Sequence, residues 1–184
     1  MVVLRSLFFI ALIPGTVAGV IPWLLVQSSG EAVRLVPSLW LIGLLPLLAG
    51  LVLFFWCNGL FTFVGKGTLA PIDGPIFLVR AGPYHWIRNP MYVAVLTIIL
   101  SEAILFHSLS VVGYALAFAT FLHLWVMFVE EPSLREQFGE SYETYLQTVP
   151  RWMPRWSPRR GGAIETPSRH LWHAEHCTRA HVNL

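Results

Sequence analysis

"GPYHWIRNPMY", residues 82–92, is a polar, ring-rich island between two stretches that are strongly apolar. Pro83 and Pro90 interrupt helical backbone on either side, and Tyr84, Arg88, Asn89 and Tyr92 are crowded between or beside them. The fold depends on what flanks this island. The whole chain, 184 residues, is 55% hydrophobic and only 12% charged, against about 25% charged in ordinary soluble domains. Together with eight tryptophans, that composition belongs to a membrane protein. A net charge of +2 excludes an electrostatic case for nucleic acid, and arginines concentrated toward the C-terminus suit an anionic lipid surface instead. Cys57 and Cys177 form no disulfide pattern.

Four apolar segments approach the roughly 20 residues needed to cross about 30 Å of hydrocarbon. They lie near 6–27, 36–57, 91–107 and 109–129. The predicted fold class is therefore all-α, an integral membrane bundle of four transmembrane helices. Arg5 ahead of an apolar run, with "TVAG" beyond it, resembles a cleavable leader, but the run continues to Val26 and reads better as a retained span. Pro46 marks a kink in the second span, which is expected to end around Cys57-Asn58-Gly59. Only His107 and Ser108 separate spans three and four, which predicts a tight antiparallel hairpin. Arg5, Lys66, Arg80, Arg88 and the arginines after Glu131 fall on one side and Arg34 on the other, so both termini are expected in the cytoplasm.

The hairpin fixes which polar groups share a depth. At about 1.5 Å per residue from the turn, span four reaches the level of the 82–92 loop near Glu130-Glu131. His123, Met127, Glu130 and Leu134 form one helical stripe, and Tyr92, Leu96, Ile99 and Ala103 form a facing one. A pocket between these stripes would be apolar within the membrane, with Tyr84, Arg88, Asn89, Tyr92, Glu130 and Glu131 at its rim. Such a site suits a ligand with one charged end. Taken singly, each rim residue is more ordinary as an interfacial anchor or a solvated helix end; their coincidence at one height carries the functional reading. Glu102, deep in span three and off the Tyr92 stripe, reads as a packing or relay residue.

Pro132 predicts that the helix ends or bends at Glu131. Beyond it, Leu134 and Phe138 suggest a short amphipathic turn stopped at Gly139. A second helix, capped by Ser141, then presents Tyr142, Tyr145 and Leu146. This C-terminal interfacial helical segment, with Trp152 and Trp156 beside Arg151 and Arg155, is expected to form a lid or belt over the pocket mouth. Residues 1–156 form one membrane domain in this reading, and 157–184 a mobile tail. The tail's His170, His173, His176, Cys177 and His181 match no trusted zinc spacing, and no metal is expected.

"GPYHWIRNPMY", followed one hairpin later by "EEPSLREQFGESYETYLQTVPRWMP", resembles the isoprenylcysteine carboxyl methyltransferase and phospholipid methyltransferase group of integral membrane enzymes. The resemblance runs from about Gly67 to Pro154, and "GTLAPID" at 67–73 is similar to the approach loop of bacterial members. It implies S-adenosylmethionine as cofactor. Leu78 and Val79 would then line the nucleoside, Tyr84 and the Asn89-Pro90-Met91-Tyr92 turn would hold the cofactor, and Glu130 would bind its cationic amino-acid end. Gly82, Arg88 and Glu131 complete the implied contact set. The implied partners are the lipid bilayer and a lipophilic small-molecule acceptor, and no catalytic side chain is singled out. Two departures stand out. Asn89 replaces the histidine of an Arg-His-Pro-x-Tyr motif, and Val126 occupies the place of an arginine found in the eukaryotic prenylcysteine enzymes. A membrane reductase using a nicotinamide cofactor and a non-catalytic membrane binding protein are the alternatives. The reductase has few basic groups to draw on, since the central loops offer Lys66, Arg80 and Arg88.

Overall fold

A computed structural model describes residues 12–30, 37–64 and 78–154. A wide π-helical turn, Thr16–Val20, leads into helix α1 (Ile21–Ser28). Helix α2 covers Pro37–Phe63, a 3-10 turn occupies Gly82–His85, and α3 covers Pro90–Phe106. Helix α4 (Leu109–Trp125) passes through a second π-helical turn, Val126–Glu130, into α5 (Glu131–Thr148). No strand occurs among the described residues, so the fold is all-α.

Two of the helical stretches are long and apolar enough to cross a membrane, Trp40–Phe63 and the continuous run Leu109–Thr148. Leu12–Ser28 and Pro90–Phe106 are apolar but shorter. Large side chains such as Leu41, Val52, Leu116 and Phe128 stand exposed on the outer faces. In water that surface would favour aggregation; against lipid tails it is the expected exterior.

The core forms where α3 is sandwiched between its neighbours. Its most extensive contact is with α2, and α4 and α1 close the other side. Ala94, Ile98, Ile99 and Ala103 of α3 join Phe54 and Cys57 of α2 and Val111 and Ala115 of α4 in one buried cluster. Close approach of α2 to α3 depends on Gly50, where an added Cβ would lie 2.9 Å from Ile98 Cγ1 and 3.1 Å from the Ala94 carbonyl oxygen. Backbone contact of this kind gains dispersion energy that a larger residue forfeits, because lipid tails supply no hydrophobic drive to press helices together. Gly50→Leu is therefore expected to lower stability by about 1–3 kcal/mol in thermal unfolding of the detergent-solubilised protein. Gly59→Ala, with nothing near its Cβ position, should change little.

The hairpin between α3 and α4 is as tight as its sequence implied. His107 takes a left-handed conformation with φ 51°, and the buried Ser108 Oγ accepts the Val111 N–H at 3.2 Å to cap α4. Three expectations need correction. Helix α2 does not stop at Asn58-Gly59 but continues to Phe63, since Asn58 Nδ2 donates within the helix to the Phe54 carbonyl at 3.4 Å and so satisfies itself. The helix of the fourth span does not end at Glu131. The Glu131 N–H reaches the Val126 carbonyl five residues back, and this wider turn admits Pro132 in the first turn of α5 without ending the helix. An apolar pocket between α3 and α4 is not what Ile99 and Ala103 line; both are buried in the bundle core. The expected start of the first span, before residue 12, lies outside the described residues, as do Trp156 and the histidine-rich tail.

Candidate functional site

The 82–92 loop is held by its own backbone. Trp86 and Ile87 N–H groups both donate to the Pro83 carbonyl, at 3.0 and 3.2 Å, and Val93 N–H donates to the Asn89 carbonyl at 3.2 Å to begin α3. Pro83, second in the 3-10 turn, and Pro90, first in α3, each remove a donor that would have had no partner within its element. Tyr84 is buried with its ring 5.5 Å from Phe61, and its carbonyl accepts the Tyr145 hydroxyl at 2.6 Å. Burial pushes the phenols of Tyr84 and Tyr145 well above their ordinary range, so both act as neutral hydrogen-bonding groups. Arg80 lies over the Tyr145 ring at 5.7 Å and donates to Ser141 through its Oγ at 2.6 Å and its carbonyl.

From the other direction, the break predicted at Gly139 is present. Its φ 52°, ψ −132° lie in a region open essentially to glycine, and they turn the second half of α5 toward the loop. Tyr142, Tyr145 and Val149 form a small second core with Leu78, Leu134, Phe138 and Leu146. The segment after α5 then lies along the loop. The Arg88 N–H donates to the Pro150 carbonyl at 2.9 Å, Asn89 Nδ2 to the Arg151 carbonyl at 3.4 Å, and Trp152 Nε1 to His123 Nδ1 at 3.1 Å.

Between these elements stand the two glutamates, in opposite circumstances. Glu131 is 4% exposed and saturated. Its Oε1 accepts from Arg88 Nη1 at 2.8 Å and Arg151 Nε at 2.7 Å, and its Oε2 from Arg151 Nη2 at 2.9 Å. That hydrogen bonding raises the Arg151 pKa further, so the guanidinium stays charged. Glu130 accepts the Tyr92 hydroxyl at 2.8 Å on Oε2 and has no ion pair among the described residues. The loop and the end of α4 therefore meet at one level, through Tyr92–Glu130 and Arg88–Glu131. Consecutive helical residues point about 100° apart, so the two adjacent glutamates face different partners.

The other residues singled out from sequence divide into two groups. Asn89 and Pro90 are buried at the junction with α3. Val79, Tyr84 and Met91 are buried in the main apolar cluster, and Leu78 packs on the smaller one. Gly82 is half-buried, and its Cβ position is 2.9 Å from Leu60 Cδ1. Two buried polar atoms have no partner among the described residues, Arg88 Nε near this site and Glu102 Oε2 within α3. Sequence reasoning placed Arg151 and Trp152 over the site but missed their partners. A 20-residue separation interrupted by Gly139 gives no periodic signal that would pair Arg151 with Glu131.

The chain matches the family model for phospholipid methyltransferase over residues 39–141, more than half of its length. No curated protein and no solved structure matches it. The matched region holds nearly all of α2, the loop, the α3–α4 hairpin and both glutamates, while Tyr142, Tyr145 and the 149–154 segment lie beyond it. The chain thus belongs to the phospholipid methyltransferase family, a family of membrane methyltransferases.

Proposed function

We propose that the protein transfers a methyl group from S-adenosylmethionine to a lipid or other apolar acceptor at the cytoplasmic membrane face. The observation that carries this reading is the contrast between the glutamates. Glu131 is fully neutralised by two arginines, whereas the half-buried Glu130 has a hydroxyl donor and no counter-cation among the described residues. A carboxylate held in this way favours a cationic guest. The nearby Arg88 Nε, a buried donor lacking a partner, complements a carboxylate. The amino-acid end of the cofactor carries both kinds of charge, so these residues fit it.

When bound, the cofactor supplies an electrophilic methyl group on a positively charged sulfur. The chain's own contribution is positioning and exclusion of water. Tyr92 orients the Glu130 carboxylate, Arg88 and Arg151 keep Glu131 from competing for the cation, and the 149–154 segment covers the loop. In this reading the apolar helices bring the acceptor from the bilayer, four spans cross it with both termini in the cytoplasm, and α5 lies at the interface. Residues 1–156 act as one membrane domain with 157–184 as its tail. Asn89 and the backbone of Leu78, Val79, Gly82, Tyr84, Pro90 and Met91 complete the cofactor's surroundings.

The test is incubation of the purified protein in native lipid with methyl-labelled S-adenosylmethionine and extracted lipids. Label is expected in the lipid fraction; cofactor binding with no labelled product from any extract would favour a binding protein instead. Tyr92→Phe should slow transfer by roughly ten- to a hundredfold, the loss of about one hydrogen bond to a charged group. An unchanged rate would remove Tyr92 from the site.

A further inference from the structure

A shallow cavity of about 310 Å³ lies on the flank of the loop, lined by Leu53, Trp56, Gly82, Pro83, Trp86, Ile87, Pro90 and Pro154. We infer that this groove holds one hydrocarbon chain of a bilayer lipid, which braces the loop from its membrane side. The inference rests on the chain's residence in a membrane and is independent of methyl transfer.

Among the described residues the lining contains no charged side chain, and three of its walls are proline rings. Proline has no N–H, so these walls turn no unsatisfied donor toward an apolar guest. Three neighbouring backbone donors are already used: Trp86 and Ile87 N–H bond the Pro83 carbonyl, and Arg88 N–H bonds the Pro150 carbonyl. Next to hydrocarbon an unsatisfied backbone group costs several kcal/mol, so this internal pairing is what lets an apolar chain lie against the loop. The groove is also continuous with the exposed face of α2, where Val52, Phe55 and Trp56 are more than half exposed on a helix long enough to span. Trp56 and Trp86 mark its rim as tryptophans mark the edge of a bilayer. Its volume is at the lower end of the roughly 300–1,000 Å³ of small-molecule sites, which suits a single chain.

The occupant is a resident lipid and not the methyl acceptor because of helix geometry. Pro90 lines the groove, while Tyr92, two residues and about 200° further around the helix, reaches Glu130. A chain lying on Pro90 is therefore turned away from that carboxylate.

The experiment reconstitutes the full chain in phosphatidylcholine vesicles doped with phosphatidylcholine bearing a diazirine midway along one acyl chain. Labelled residues are mapped after illumination at increasing probe fraction. Labelling of Leu53, Trp56, Trp86 and Ile87 is expected to saturate, while that of the outward-facing Leu116, Phe121 and Phe128 rises in proportion to the probe. Leu53→Trp, which fills the groove, should abolish the saturable component and leave the proportional one. Proportional labelling throughout in the wild-type protein, or label on residues 155–184 in place of the groove, would overturn the inference whatever the variant does. Cofactor binding measured on the same vesicles separates this result from the fate of the methyltransferase reading.

Discussion

Replacing Glu131 by alanine is expected to lower the stability of the protein by about 3–5 kcal/mol, the largest loss from any single polar substitution proposed for it. The side chain is 5% exposed and accepts three hydrogen bonds from two guanidinium groups, themselves 13% and 25% exposed. Removing it leaves two largely desolvated positive charges against each other, and the 149–154 segment loses its ionic tie to the start of α5. The measurement is thermal unfolding in detergent, with the exposed Arg135–Glu143 pair as internal control. Those side chains are 47% and 51% exposed, and breaking that pair should cost no more than about 1 kcal/mol. Arg151→Ala should be milder than Glu131→Ala because Arg88 still neutralises the carboxylate. Equal melting of Glu131→Ala and wild type would mean that the network does not hold the site together.

Glu130→Gln should show the opposite signature. A glutamine retains the shape of the side chain and an oxygen to accept the Tyr92 hydroxyl, so unfolding is expected to change by less than about 1 kcal/mol. Affinity for S-adenosylmethionine should fall by about 1.5–3 kcal/mol, roughly ten- to a hundredfold in Kd, because the amide carries no negative charge. Equilibrium dialysis with labelled cofactor reads this directly. A variant that binds as tightly as wild type would sink the assignment of Glu130, and with it the main physical support for the proposed function. The two adjacent glutamates thus separate in experiment, one chiefly through stability and the other chiefly through binding.

Much of this arrangement was legible from local chemistry. The His107-Ser108 turn could be read because only two residues separate two apolar helices, and the Gly139 break because glycine alone tolerates that backbone. Depth counting from the hairpin brought Glu130 and Glu131 to the level of the 82–92 loop, and direct contacts join them there. Local signals misled where a side chain or an unusual turn satisfied the backbone. Asn58 looked like a terminator but bonds within its helix, and Pro132 looked like an end but follows a five-residue turn. Neither outcome is visible in periodicity, which assumes regular α-helix throughout.

The amino-acid sequence by itself determined a helical, apolar exterior, the tight hairpin and the polar loop, because each follows from hydropathy or backbone preference within a few residues. Tertiary structure alone decided which glutamate is paired. Arg88 and Arg151 are separated from Glu131 by 43 and 20 residues of chain, and they converge on it only after α3, the π-helical turn and the Gly139 kink have set their directions. Charge neutralisation falls off within a few ångströms, so it depends on that convergence and not on proximity in sequence.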